Sequence, residues 1–185
     1  VAIEFTTPAS AFDNYLKAFA QGVKVVSGST GWTARIGEIE QLCRDKGATF
    51  FWTSNFSIGV NIFFALNKYL AALMDGFPQY RPVSLARGII DENSRVTAWT
   101  EDKDAADGQL RIGHQRIGEV PGTHIVKWDS PVDSITITHE AKSRLGFAEG
   151  AVTAAEWVAT QHGFLTMDML MHRIIKKSAL IDILK

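Results

Sequence analysis

Apolar and polar positions fall into a repeating block pattern at the start of the chain. Three apolar runs, VAIEF (1–5), VKVVS (23–27) and ATFFW (48–52), each end in a short loop of small polar residues. The loops are TTP (6–8), GSTG (28–31) and TSN (53–55). The stretches between the runs have helical periodicity, so the pattern is β-α-β-α-β, the unit of a parallel sheet with helical crossovers. In such a sheet the carboxyl ends of the strands share one edge, and ligands bind there. Three loops far apart in sequence are therefore expected to converge on one ligand. The strand-to-helix geometry favours a nucleotide or another anionic group.

The helices are read from spacing. Thr7 and Pro8 are N-cap and first helical residue, followed by an apolar stripe of Phe12, Tyr15, Leu16 and Phe19 that Gly22 closes. Thr33 is read as the next cap, with Ile36, Ile39, Leu42 and Cys43 facing inward up to Gly47. After Asn55 comes a long, mostly apolar helix, with Ile62, Phe63, Leu66, Tyr69, Leu70 and Leu73 expected on its buried side. Residues 75–81 read as a loop, and PVSLARGIIDEN as a helix from Pro82 to Asn93.

From Val96 the runs become short and alternating: VTAWT (96–100), LRIGHQRIG (110–118), THIVKW (123–128) and SITITHEAKS (134–143). In the last, Ile135, Ile137 and His139 fall on one face, which is the period of a half-buried strand. Asp107-Gly108 and Pro121-Gly122 are turn signals. Two helices close the chain, over 147–160 and 166–184. The expected architecture is a parallel α/β lobe up to about Trp52, then an α+β domain with a mixed or antiparallel sheet.

Composition narrows the classes. With 185 residues and a net charge of −1, nothing favours a nucleic-acid surface. Cys43 is the only cysteine, which rules out a disulfide within the chain and fits a reducing compartment. No apolar run approaches the ~20 residues of a membrane helix. The chain opens on a strand-like run with no signal peptide, so a cytoplasmic protein is expected.

The chemistry-bearing residues are few. In GSTG, Gly28 and Gly31 let backbone approach a ligand, while Ser29 and Thr30 offer hydroxyls and amides. His114, His124, His139, His162 and His172 lack metal spacing, so no metal site is expected. His139 reads as a core histidine, His124 as ordering a loop, and His162 and His172 as helix-end and helix-surface residues. No nucleophile elbow is present. Arg144 follows a strand and precedes a helix, where a guanidinium can fork a carboxylate or form a structural salt bridge.

The run NFSIGVN (55–61), together with FTTP, GSTGWT, RIGEVPGTH and HEAKSRLGFAEGAVTAAEW, resembles the dihydrodipicolinate reductase family over nearly the whole chain and in the right order. The resemblance implies a reductase using NADH or NADPH in diaminopimelate and lysine biosynthesis. Its substrate would be a cyclic, imine-like dicarboxylate. A Rossmann-like nucleotide-binding part would cover 1–56, joined by the final helix 166–185. A substrate-binding and tetramerisation domain with a mixed sheet would cover 57–165 and build a homotetramer. Carried over residue by residue, the nicotinamide end is held by Phe5, Thr6, Gly28, Ser29, Thr30, Thr53, Ser54, Asn55 and Phe56. Arg144 is the substrate-end candidate.

The resemblance also implies a glycine-rich pyrophosphate loop ahead of Val1. It further implies a His-His-x-x-Lys segment, for proton transfer, and a Ser-Gly-Thr loop that grips carboxylates. Both belong between Tyr80 and Pro82, where only Arg81 stands, and no lysine lies between Lys68 and Lys103. The expectation is that the protein carries that segment and the sequence closes over it, so no catalytic residue is assigned. Two other readings remain. One is a non-catalytic nucleotide-binding or assembly module, which a true loss of the His/Lys segment would favour. The other is a different two-domain dehydrogenase acting on another oxo or imino acid.

Overall fold

Successive residues of the central strands point to opposite faces, and both faces are buried. In this computed structural model, which describes residues 1–82, 98–100, 109–111 and 122–177, β1 (Ala2–Glu4), β2 (Val25–Ser27) and β3 (Thr49–Trp52) are parallel neighbours. Val25 and Phe50 turn to one side, where α1 (Pro8–Ala20) and α2 (Ile36–Lys46) supply Phe12, Tyr15, Ile39 and Cys43. Val26 and Phe51 turn to the other side. There α4 (Leu145–Val158) and α5 (Met167–Lys177) supply Ala151, Ala154, Trp157, Leu170 and Met171. A period-two strand between two apolar helix layers is the doubly covered parallel sheet that the block pattern predicts.

A fourth parallel strand, β9 (Gly163–Thr166), pairs with β3 and places Leu165 beside Phe51. The four residues GFLT are too short to show a period, so the sequence pattern alone does not mark this strand. The final helix accordingly begins at Met167. Thr33 also differs from expectation: it lies inside a 3-10 turn, Thr33–Arg35, and Arg35 precedes α2. Leu16 sits at the rim of the α1 stripe rather than in it. Gly47, left-handed at φ 68°, ends α2 as its position suggests.

The chain divides into two compact units, residues 1–58 with 145–185 and residues 59–144. In the second, α3 (Ile58–Asp75) packs on β7 (Thr123–Asp129), which pairs antiparallel with β8 (Ser134–Glu140). β4 (Arg81–Pro82) pairs antiparallel on the other side of β7. β5 (Ala98–Thr100) and β6 (Gln109–Arg111) form a separate parallel pair. One expectation fails here. Pro82 is in a strand, not at a helix start; the rest of the expected helix to Asn93, the Asp107-Gly108 turn and His114 lie outside the described residues.

The buried face of α3 is also different: Val60, Phe63, Asn67, Ala71 and Met74 are inside, whereas Ile62, Leu66, Tyr69 and Leu73 are 42–49% exposed. The helix is apolar nearly all round, so its pattern does not select a face. The polar Asn67, only 1% exposed, concealed the stripe that packs.

One close approach in the first unit gives a test. A Cβ on Gly150 of α4 would lie 1.8 Å from the carbonyl oxygen of Phe56. On propensity alone Gly→Ala stabilises a helix by up to ~1 kcal/mol. Here it must push backbone apart, so Gly150→Ala is expected to destabilise by about 2 kcal/mol or more in urea unfolding; a neutral or stabilising result would contradict this packing.

Candidate functional site

The strand ends of β1, β2 and β3 bring their three loops to the carboxyl edge of the sheet, and specific bonds tie them together. The Gly28 amide donates to the carbonyl of Glu4 at 3.1 Å, and the Thr53 amide to the carbonyl of Ser27 at 3.3 Å. The indole N–H groups of Trp32 and Trp52 both donate to the Ser29 carbonyl, at 2.8 and 2.9 Å. Phe5 lies 5.3 Å from Phe56, ring centre to ring centre, and leans over Gly28, where a Cβ would come within 2.2 Å of the ring. Glycine at 28 is therefore what lets the aromatic ring lie across the second loop.

At the centre is Glu4, only 7% exposed. Its Oε1 accepts from the Thr6 amide at 2.7 Å, from the Thr6 hydroxyl and from the Ser29 hydroxyl at 3.0 Å. Its Oε2 accepts from the Ser27 hydroxyl at 2.6 Å. Ser27 has one proton and gives it to Glu4, so the 2.7 Å contact with Tyr15 is a bond donated by the tyrosine hydroxyl. Burial opposes ionisation of Glu4. The bonds from Ser27, Thr6 and Ser29 outweigh that and hold its pKa below the usual glutamate value. Burial, with the Glu4 charge nearby, pushes the Tyr15 pKa up, so it stays a neutral donor.

All nine residues expected at the nicotinamide end thus lie on this edge, but not in one role. Phe5, Thr6, Thr30 and Ser54 are exposed, and Thr53 and Asn55 are half-buried. Ser29 and Phe56 are buried: the Ser29 hydroxyl is committed to Glu4, and the Phe56 ring underlies Phe5. Asn55 Oδ1 accepts from the Ser57 amide at 2.9 Å, which shapes the start of α3. Glu4 and Tyr15 are the members that the sequence reading missed. The available signal was a charged residue in the middle of the apolar run VAIEF. A concavity of about 440 Å³ opens at the other edge of the sheet, lined by Leu16, Phe19 and Leu42 with Lys24 and His162. Its Lys24 ammonium is already bonded to the carbonyls of Ala159 and Gln161 at 2.9 and 2.6 Å, so it carries no evident chemistry.

The remaining candidates are placed as follows. His124 does not order a loop: it stands in β7 opposite His139, with rings 5.6 Å apart and Phe63 and Phe64 beside it. Burial, and then His139, lower its pKa. His162 and His172 are exposed. Burial pushes the Cys43 thiol up to about 11, so it is not a nucleophile. No group of three or more metal-ligating side chains occurs among the described residues. Arg144 is exposed immediately before α4. The chain runs from Tyr80 directly into β4, where Arg81 pairs with Asp129 and Pro82 with Trp128.

Comparison with known proteins gives a consistent result. Residues 1–56 match the family described as "Dihydrodipicolinate reductase, N-terminus", and residues 59–171 match "Dihydrodipicolinate reductase, C-terminus". The chain is 38% identical to the 4-hydroxy-tetrahydrodipicolinate reductase of Christiangramia forsetii, covering 95% of this chain and 81% of that protein. It is 31% identical to the enzyme of the same name from Archaeoglobus fulgidus, covering 91% and 74%. A dipicolinate-bound dihydrodipicolinate reductase from a Paenisporosarcina species shares the fold. Its TM-score is 0.62 at 17% identity, over 89% of this chain and 70% of that one. The match to the Christiangramia protein extends over 194 positions, more than the 185 residues here, so that relative carries residues this chain lacks within the matched region.

The Glu4 network sets an acid response. A carboxylate whose pKa is lowered on folding contributes stability above its unfolded value, here about 4.5, and that contribution is lost as pH falls through the folded value. Urea midpoints of the wild type should therefore drop below about pH 4.5 more steeply than those of Glu4→Gln. Parallel curves would show that folding leaves the Glu4 pKa unchanged, and a shallower drop for the wild type would show that it is raised.

Proposed function

The chain belongs to the dihydrodipicolinate reductase family, and we propose that the edge formed by loops 5–8, 28–31 and 53–56 is the nicotinamide half of its reductase site. The enzyme is an oxidoreductase that reduces 4-hydroxy-tetrahydrodipicolinate, a step of lysine and diaminopimelate biosynthesis. The observation that carries the site is the convergence of three strand-end loops around an exposed aromatic ring, Phe5, with Thr30 and Ser54 exposed on the two neighbouring loops. A flat apolar face beside polar groups fits a nicotinamide ring with its carboxamide and ribose. NADH or NADPH, when bound, supplies the hydride. The residues of this chain orient it: Phe5 as the wall beneath the ring, and Thr30, Ser54 and Asn55 as the polar rim. Arg144, exposed and forkable, is the group assigned to a substrate carboxylate.

The proton donor is proposed to come from the His-His-x-x-Lys segment that the family resemblance places between Tyr80 and Pro82. A second reading has its own observation. Arg81 and Pro82 are already paired in β4, directly after Tyr80. If the protein truly lacks the segment, it keeps a nucleotide edge without a proton donor and acts as a binding or assembly module. A cytoplasmic homotetramer built through the β7–β8 sheet belongs to the same proposal. It is supported by Ile125, which is 47% exposed on β7, and by the single, buried cysteine.

Loss of the near-ultraviolet absorbance of NADH or NADPH in the presence of the dicarboxylate tests the reading. Turnover is expected. Phe5→Ala should raise KM for the nucleotide about tenfold, or ~1.4 kcal/mol, and leave KM for the dicarboxylate unchanged. Saturable nucleotide binding without turnover would favour the module reading, and no nucleotide binding would overturn both.

A further inference from the structure

Glu4 is a buried carboxylate with no cation within ion-pair distance among the described residues. Its four hydrogen bonds come from hydroxyls and one amide, all neutral donors. Such a charge is costly to bury, and hydroxyls alone could have linked the loops. Two consequences follow from using a carboxylate instead. As an acceptor only, it turns the protons of Thr6, Ser27 and Ser29 inward, which holds the turns after β1 and β2 in one relative position. It also leaves beneath the carboxyl edge a negative charge held by hydrogen bonds, with no cationic partner among the described residues.

We propose that Glu4 is the positioning residue of the nucleotide site: it locks the turns that carry Phe5, Thr6 and Ser29 together, and its charge favours the oxidised, cationic nicotinamide ring over the neutral reduced one. This rests on the reading of the edge as the nicotinamide half of the site. When bound, the reduced nucleotide would present a neutral ring to these residues and the oxidised nucleotide a cationic pyridinium. A fixed negative charge near that ring stabilises the state reached at hydride transfer and weakens none of the neutral contacts. The chemistry that would complete the Glu4 site is therefore a cationic heteroaromatic ring, not a second anion.

The test compares dissociation constants of the oxidised and reduced nucleotides, measured by protein fluorescence on the wild type, Glu4→Gln and Glu4→Asp. Glu4→Gln should weaken the oxidised nucleotide about fivefold more than the reduced one, because only the charge–charge contact is lost selectively. Glu4→Asp should restore most of that difference. A merely structural glutamate would weaken both nucleotides alike, and equal losses would overturn the proposal. Should Glu4→Gln fail to fold, Ser29→Ala keeps the charge and removes one tie. It should weaken both nucleotides equally, and a selective loss of the oxidised one there would contradict the assignment to Glu4. A wild type that binds neither nucleotide would instead overturn the reading of the edge itself.

Discussion

Burial of both faces of the parallel sheet is the constraint on which the rest depends. Phe50 and Phe51 are adjacent in sequence and both fully buried, yet they pack in different cores, one with Tyr15, Trp32 and Ile39 and the other with Ala154, Trp157 and Leu165. A slip of one residue in β3 would exchange the two rings and mismatch both helix layers. Burying one such side chain contributes roughly 1.5–3 kcal/mol, so the register is strongly held. With the register held, the ends of β1, β2 and β3 stop at the same height, and their loops meet. The candidate edge is thus a consequence of core packing, although none of its exposed residues belongs to a core.

What the core delivers to the edge is polar, and polar groups near a core must be satisfied. The solution here is a single acceptor with several donors. Glu4 gathers Thr6, Ser27 and Ser29, and Tyr15 extends the network into the aromatic cluster beneath α1. The Ser29 carbonyl gathers two indoles in the same way. Position 28 needs glycine because the Phe5 ring occupies the place of its Cβ. Rigidity of the loops then comes from buried bonds and rings, and the outer surface stays open for a ligand.

Much of this was legible before the structure. The three strands, their loops and both crossover helices follow from apolar runs and spacing, and the nine residues proposed for the nicotinamide end lie on one edge of the sheet. β9 was not legible, because four residues carry no period and its place beside β3 depends on a partner more than a hundred positions earlier. The packed face of α3 was misread because apolar residues surround the helix and the position that decides the face, Asn67, is polar. Glu4 was not legible, since a charge in a short strand ordinarily signals an exposed edge. Its burial depends on the hydroxyls of Ser27 and Ser29, on a segment 23 and 25 residues further along the chain, which no local pattern reveals.

Hydrogen exchange read by mass spectrometry, with and without saturating reduced nucleotide, addresses the convergence of the loops most directly. The expected result is simultaneous slowing of exchange in the peptides covering 5–8, 28–31 and 53–56, with the concavity at the opposite edge of the sheet unchanged. Slowing confined to one loop, or slowing around Leu16, Phe19 and Lys24 instead, would contradict a nucleotide site built from three strand ends.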